Sequence, residues 1–271
     1  MRASAAAKVN LALVVGPRRD DGLHEVVTLY QRVALADRIE LEPGQALRVE
    51  GFAGDTLVRR ALEGLAARVG IEPHWSVRIE KRIPVAAGLG GGSSDAATAL
   101  RLACATLASP PAPETLRELA GSIGADVPFF LADGPQLGSG SGTTLEPVEL
   151  PQDFWVLLVL PRDLAKRSTA DVYERFDERG GEHGFAERRA GVLATLATLR
   201  RPRDLAGLPP NDLASSPLAD ELRALGAFRA DVSGAGPVVY GLFHHDEQAR
   251  RAQRTLARSG RTWLTAPAWY G

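Results

Sequence analysis

Between Pro84 and Ser94 the chain reads Pro-Val-Ala-Ala-Gly-Leu-Gly-Gly-Gly-Ser-Ser, with glycine at 88, 90, 91 and 92. Glycine at that density lets a backbone approach a ligand closely and take positive φ. Ahead of it, Trp75, Val77 and Ile79 alternate with Ser76, Arg78 and Glu80, the period-2 pattern of a half-buried strand. Behind it, Ser93, Ser94 and Asp95 precede an alanine- and leucine-rich run, which predicts capping residues and a helix over 95–108. A strand, a glycine loop and a helix start offer free backbone N–H groups and the positive end of a helix dipole, which suits phosphate. Two common phosphate motifs do not fit. A Walker A loop needs Lys after its last glycine, and the dinucleotide fingerprint needs glycine at 93, where Ser93 stands. The bland alternative is a tight turn, which requires neither four glycines nor two hydroxyls.

A cation and a carboxylate come next. Lys8 and Asn10 lie two apart in the apolar stretch from Ala5 to Val15, so a strand there points both to one face. Buried, Lys8 needs an anionic partner; on an edge strand it meets solvent. Asp126 follows a helical pattern ending near Ile123 and is flanked by Ala125, Val127, Phe129 and Phe130. That predicts partial burial at the unfavourable end of the helix dipole. Lys8 is then its natural partner, and organising a local turn is its plainer role. His24 opens an apolar strand and, read alone, is a surface or satisfied histidine. Ser233-Gly234-Ala235-Gly236-Pro237, read alone, is a hairpin turn.

Composition bounds the rest. The 271 residues allow one large or two modest domains with an ample core. Hydrophobic content of 45% and charged content of 24% are ordinary for a soluble globular protein. A formal net charge of −1 gives no electrostatic support to a nucleic-acid role. Arg188-Arg189 and the group Arg250, Arg251 and Arg254 fall in helical patterns and read as solvated faces. The single cysteine, Cys104, reads as a small core residue in a helix interior, in a reducing compartment. No apolar run approaches the ~20 residues of a membrane span. Lys8 and Asn10 interrupt the apolar segment that a signal peptide would keep unbroken. A cytoplasmic protein is expected.

These residues must be held by a definite set of elements. Strands are expected over 5–15 and 23–30, with two more within 33–50 joined by Glu42-Pro43-Gly44-Gln45. A helix over 56–69 carries Leu57, Ala61, Leu62, Leu65 and Val69 on one stripe. Strand 75–83, the glycine loop and helix 95–108 follow. A further helix starts at Pro113 and buries Leu116, Leu119, Ala120 and Ile123. Gly134 to Gly142 reads as a loop bordering the site, and Leu150-Pro151-Gln152-Asp153 as a linker. Beyond it come strand 154–160, a helix from Ser168 or Thr169 to about Phe176, helices 185–199 and 217–225, strands 228–232 and 238–243, helix 246–258 and strand 261–266. That order is β-α-β-β-α-β with extra helices, a ferredoxin-like arrangement.

Pro-x-x-x-Gly-Leu-Gly-Gly-Gly-Ser-Ser-x-Ala, from Pro84 to Ala96, resembles the ATP loop of the kinase superfamily that includes galactokinase, homoserine kinase and mevalonate kinase. The triple glycine and double serine are most similar to its branch acting on 4-diphosphocytidyl-2-C-methyl-D-erythritol, in non-mevalonate isoprenoid precursor biosynthesis. Ala7-Lys8-Val9-Asn10-Leu11 matches the family's opening motif, Gly124-Ala125-Asp126-Val127-Pro128 its catalytic-aspartate motif, and Ser233 to Pro237 its third signature. The resemblance implies an α+β, two-domain small-molecule kinase. Residues 1–150 would form a ribosomal-protein-S5-like ATP-binding and catalytic domain, and 151–271 a ferredoxin-like domain, with a cleft between. ATP and Mg²⁺ are implied, ATP being held by Pro84, Val85, Ala86, Ala87, Gly88, Leu89, Gly90, Gly91, Gly92, Ser93 and Ser94. Lys8 and Asp126 would be catalytic, and Asn10, His24 and Tyr173 would bind the substrate. The implied partners are ATP and the cytidine-diphosphate-linked alcohol, with no nucleic acid and no membrane, in a monomer or weak homodimer. A kinase for another small alcohol, such as homoserine or mevalonate, is the alternative. The chain departs from the pattern twice. Asp21-Gly22-Leu23-His24 has Leu23 where the family's Tyr stacks on cytosine, a loss of ~1 kcal/mol. Thr143 stands where a Glu usually follows the last glycine of the 138–142 run. Tyr173 falls at the place of a pyrimidine-stacking aromatic, with core packing as its rival role, and Asn211-Asp212-Leu213 matches a loop-ordering segment.

Overall fold

The computed structural model describes residues 1–162 and 168–268. In chain order its elements are β1 (Arg2–Arg18), β2 (His24–Pro43), β3 (Arg48–Glu50), α1 (Leu57–Val69), β4 (Trp75–Glu80), α2 (Gly91–Cys104), α3 (Pro113–Ile123) and α4 (Val127–Leu131). Next come β5 (Gln136–Ser139), β6 (Thr144–Pro147), β7 (Trp155–Pro161), α5 (Thr169–Glu178), α6 (Phe185–Thr198), a 3₁₀ turn (Pro202–Gly207) and α7 (Pro217–Ala224). β8 (Arg229–Val232), β9 (Val239–Phe243), α8 (Asp246–Leu256) and β10 (Gly260–Thr265) complete the series. The class is α+β, as expected. Contacts divide the chain into two units. One holds Met1–Ala7, Leu35–Val85 and Gly90–Asp133; the other holds Lys8–Ala34, Ala86–Leu89 and the described residues from Gly134 onward.

In the first unit β4 alternates as its pattern demands, with Trp75, Val77 and Ile79 buried. It pairs antiparallel with Arg38–Pro43 of β2 and parallel with β3. Helix α1 buries Val58, Ala61, Leu62, Leu65 and Ala66. Its core stripe is therefore turned slightly from the expected one, leaving Leu57 and Val69 half-buried. Helix α3 starts on Pro113 and buries Leu119, Ala120 and Ile123. Helix α2 packs against both α1 and α4.

In the second unit β2 pairs antiparallel with β5 at Thr28–Tyr30, and β5 with β6. The C-terminal sheet has the order β10-β7-β9-β8, every pair antiparallel. Helices separate β7 from β8 and β9 from β10, so the ferredoxin-like order is present. Leu157, Val159, Leu222, Phe243, Ala249 and Leu256 form its core.

Four expectations need correction. The strands over 23–30 and within 33–50 are largely one strand, β2, because Gln31 and Arg32 bring no turn chemistry. Both are buried, and the Gln31 amide donates to Arg32 O at 2.8 Å and Arg32 Nη1 to Gly134 O at 3.3 Å. The 134–142 loop is half of a hairpin, with β5 and β6 joined through Gly140 and Gly142, both at positive φ. Arg188 is no solvated side chain. Its guanidinium donates to Asp212 Oδ2 at 2.9 Å and to Gly181 O at 2.8 Å, tying α6 to two loops. Cys104 is the last residue of α2 rather than interior to it, and partial burial pushes its thiol up. Among the described residues no helix is long and apolar enough to cross a membrane.

Leu222 of α7 is fully buried against the C-terminal sheet. Leu222→Ala is expected to destabilise the protein by ~2–5 kcal/mol, read as a lowered urea midpoint.

Candidate active site

In the first unit the glycine loop becomes helix earlier than its side chains suggest. Gly90, at φ 68°, is the N-cap of α2, and no side chain caps the helix. Ser93, Ser94 and Asp95 therefore lie inside the first turns and not in front of them. A glycine in the left-handed region starts this helix because a side chain there is strained and the following turn is tightly packed. A Cβ on Gly91 would sit 3.0 Å from Ile83, and one on Gly92 3.2 Å from Leu57. Ser94 N donates to Gly90 O at 2.9 Å, and Ser94 is buried. The N–H groups of Gly91, Gly92 and Ser93 stand outside the helix ladder, as the first amides of a helix do. Asp126 is half-buried, as expected, but it leads helix α4 and does not merely trail α3. Pro128 falls in the first turn of α4, where a missing N–H is harmless. A Cβ on Gly124 would lie 4.0 Å from Ser93 Oγ, so the aspartate motif adjoins the start of α2.

In the second unit Lys8 and Asn10 share one face and are 3% and 4% exposed, which excludes an edge strand with Lys8 in solvent. Lys8 Nζ donates to Asn10 Oδ1 at 2.5 Å, and Asn10 Nδ2 donates to Thr28 Oγ1 at 2.7 Å. The Thr28 hydroxyl donates onward to Ala12 O at 2.9 Å. The middle of the glycine loop is pinned to this face: Leu89 O accepts from Lys8 N at 2.9 Å and Gly88 O from the Ser233 hydroxyl at 2.9 Å. The 233–237 segment is thus more than a hairpin turn. A Cβ on Gly234 would lie 3.4 Å from Lys8 Nζ, and one on Gly88, at φ +81°, only 2.1 Å from Ser233 O. Ala86 holds φ 52°, a left-handed conformation that non-glycine residues seldom take outside functional loops. Of the expected Lys8–Asp126 pair, Lys8 belongs to the second unit and Asp126 to the first.

His24 is buried and caged. Nδ1 lies 2.8 Å from Gly16 O, so it carries the proton, and Nε2 lies 3.2 Å from Asp177 Oδ1, off the hydrogen-bonding direction. Arg18 holds Asp177 by donating from Nε at 2.9 Å and Nη2 at 2.5 Å. The Tyr173 ring stands 5.1 Å from the imidazole and the Phe176 ring 5.7 Å, edge-on. Tyr173 also packs against the cluster that holds Leu13, Val15, Val26, Val172, Phe176 and Leu213, which bears out its packing role. Ser168 caps α5 as read, accepting from Asp171 N at 3.1 Å. Leu23 is 53% exposed. Thr143 meets Ser141 at 3.1 Å within the β5–β6 turn.

Residues 56–134 match the family described as GHMP kinases N terminal domain, and 209–262 match GHMP kinases C terminal. A 4-diphosphocytidyl-2-C-methyl-D-erythritol kinase of Anaeromyxobacter sp. is 40% identical over 93% of this chain and 85% of its own length. One of Paramagnetospirillum magneticum is 36% identical over 97% of this chain and 96% of its own. The chain belongs to the 4-diphosphocytidyl-2-C-methyl-D-erythritol kinase family. A crystal structure of 4-(cytidine 5'-diphospho)-2C-methyl-D-erythritol kinase superposes with a TM-score of 0.78 at 34% identity, covering 99% of this chain and all of that one (100%). The Methanococcus jannaschii mevalonate kinase matches at a TM-score of 0.76 and 15% identity over 99% and 98% of the two chains, a likeness of fold. As a member of this kinase family the chain is an ATP-dependent phosphotransferase.

Several residues around the kinase motifs escaped sequence reasoning. Thr28 accepts from Asn10 and Asp177 stands beside His24, yet each is a common residue with no spacing signal; Ser233 was legible only as part of the 233–237 motif, not as the donor to Gly88 O. Asn211 was legible only as a loop-ordering residue, and it does that: its side chain donates to Val232 O at 2.9 Å and Gly234 O at 2.7 Å. Lys81, between Asp37 and Asp95, looked like the end of a strand.

Gly88→Ala must place a Cβ against Ser233 O in a left-handed conformation, a strain of ~1–2 kcal/mol before the clash. A folded protein with its KM for ATP raised ~10-fold or more is expected from steady-state kinetics. Gly134→Ala, also at positive φ but with nothing within 4 Å, is the control that should leave that KM unchanged.

Proposed function

We propose that this chain transfers the γ-phosphoryl group of ATP to the 2-hydroxyl of 4-diphosphocytidyl-2-C-methyl-D-erythritol, a step of non-mevalonate isoprenoid precursor biosynthesis. The observation that carries the reading is the Lys8 ammonium, buried and held by Asn10 beside Gly88 and Gly234, backbone with no Cβ in the way. A fixed ammonium bordered by glycine backbone lets an anionic group approach at close range. Phosphoryl transfer asks chiefly for placement and charge neutralisation, which glycine-rich backbone and a fixed cation supply.

The residues then divide the work. The loop from Pro84 to Ser94 holds ATP, with the N–H groups of Gly91, Gly92 and Ser93 directed at phosphate oxygens. Lys8 sets positive charge where the transferring group gathers negative charge. Asp126 takes the proton of the acceptor hydroxyl, a contribution of ~10²–10⁴-fold. Asn10 holds the acceptor, and His24 with Tyr173 holds the cytidine end, Leu23 giving an apolar contact in place of a stacked ring. Among the described residues no cluster of three or more His, Cys, Asp or Glu could cage a metal. That fits Mg²⁺ arriving on the triphosphate, since this ion commonly keeps its waters and binds substrate phosphates. Bound there, it neutralises charge on the phosphates. The division into 1–150 and 151–271 belongs to the same proposal; the family matches at 56–134 and 209–262 fall on either side of it. A cytoplasmic location, small-molecule partners only, and a monomer or weak homodimer complete it.

Phosphorylation assays with the cytidyl substrate, homoserine and mevalonate test the reading. Turnover of the first alone is expected, and turnover of only the other two would overturn it. Asp126→Ala should bind ATP as the parent does while its turnover falls at least ~100-fold. Parental turnover would remove Asp126 as the base.

A further inference from the structure

A half-buried cation sits where the glycine loop is anchored in the first unit. The Lys81 ammonium, just past β4, donates to Asp37 of β2 and, at 2.7 Å, to Asp95 of α2. Both carboxylates are 1% exposed. The other oxygen of Asp37 accepts the N–H groups of Arg82 at 2.5 Å and Ile83 at 2.8 Å, so it holds the segment that enters the loop. Asp95 belongs to the helix that leaves it. A Cβ on Gly91 would lie 3.3 Å from Lys81 Nζ, so the ammonium lies against the first turn as well. The arrangement is not economical as packing. One cation faces two buried carboxylates, and Asp95 Oδ1 is buried with no hydrogen-bond partner. An apolar residue at 95 would avoid both penalties.

We propose that Lys81, Asp37 and Asp95 form a clamp that sets the first turn of α2 against the segment entering the loop, and so aims the N–H groups of Gly91, Gly92 and Ser93 at the ATP phosphates. The inference rests on the ATP-binding role of this loop. The three are positioning residues, acting through the backbone they tie together. Burial pushes the Asp95 carboxyl up to about 8, Lys81 opposing the rise and Asp37 adding to it. Burial alone would lower the Lys81 ammonium, but the two carboxylates outweigh it and raise it. Of the charged groups on the surrounding elements, Arg59, Arg60 and Glu63 of α1 are exposed and Asp126 leads α4; Lys81 and Asp37 are those that reach Asp95. A carboxyl raised from 3.8 to about 8 keeps a proton that the unfolded chain has lost. Its contribution to stability therefore falls as pH rises across that window.

Asp95→Ala unties the helix while leaving the Lys81–Asp37 pair, and it removes the surplus charge. In the full-length chain the KM for ATP is expected to rise about tenfold, the equivalent of one lost charge-assisted hydrogen bond. The acceptor KM should stay within about twofold, and the unfolding temperature at pH 8.5 should equal or exceed the parent's. Asp95→Asn keeps an acceptor for Lys81 and should restore the ATP KM to within about twofold of the parent. A parental ATP KM in Asp95→Ala overturns the clamp. So does a rise in ATP KM that comes with a lower unfolding temperature and is not restored by Asp95→Asn, since that marks a merely structural residue. If Asp95→Ala does not fold, Lys81→Arg decides: the longer planar fork should raise the ATP KM with the acceptor KM unchanged, and a parental ATP KM overturns the proposal. A parent chain with no ATP-dependent turnover would instead defeat the functional reading, and the clamp's role with it.

Discussion

The Ser233 hydroxyl is the point on which the polar junction of the second unit depends. It is fully buried, donates to Gly88 O and accepts from Asn10 N–H, bridging positions 145 and 223 residues away in the chain. A hydroxyl has one proton to give and lone pairs to receive with, so this one group serves both neighbours. On either side, Ala87 O accepts from Val238 N and Leu89 O from Lys8 N. Three consecutive loop carbonyls are thereby held by two pieces of chain, β1 and the 233–238 segment. Removing the hydroxyl would leave a buried carbonyl without its donor, which is costly wherever water cannot replace it.

Two polar chains support that junction. The first runs from Lys8 through Asn10 and Thr28 to Ala12 O. The second begins at Arg229, buried in β8, whose guanidinium reaches Leu208 O at 2.7 Å, Pro209 O at 2.9 Å and Tyr240 Oη at 3.1 Å. Tyr240 donates on to Leu11 O at 3.2 Å, and burial pushes its hydroxyl up to about 12. Asp231, raised by burial, accepts from Asn211 N at 2.9 Å, and Asn211 carries the chain to Gly234 O. Both chains end on the strand that bears Lys8 or on the 233–237 turn. A buried polar network satisfied at each step rigidifies what it touches, and here it touches the backbone that surrounds the ammonium.

Much of the fold was legible because its signals are local. The alternation in β4, the apolar stripe of α1, Pro113 at a helix start and the Ser168 cap each follow from residues within a few positions of one another. The β-α-β-β-α-β order could be read from such signals in series. The errors share another cause. Ser93, Ser94 and Asp95 point to side-chain caps at the start of α2, whereas the chain uses Gly90 in a conformation that leaves no mark except glycine itself. β2 runs straight through Gln31 and Arg32, whose side chains are met by Arg32 O and Gln152 in the one case and by Gly134 O in the other. Arg188 looks like any helix-surface arginine until Asp212 arrives from a loop beyond α6.

The sequence by itself determined the chemical types of the site: glycine backbone for an anion, Lys8 and Asn10 on one strand face, a half-buried Asp126, and a histidine near an aromatic. Those follow from residue identity and short spacing, which act before any long-range contact forms. Only the tertiary structure decided which groups meet. It buried Lys8, set Gly88 against Ser233, enclosed His24 with Asp177 and Tyr173, and put Lys81 between Asp37 and Asp95. Such pairings depend on chain closure over tens to hundreds of residues, where sequence spacing carries no geometric information and burial alone makes an ordinary serine, lysine or aspartate consequential.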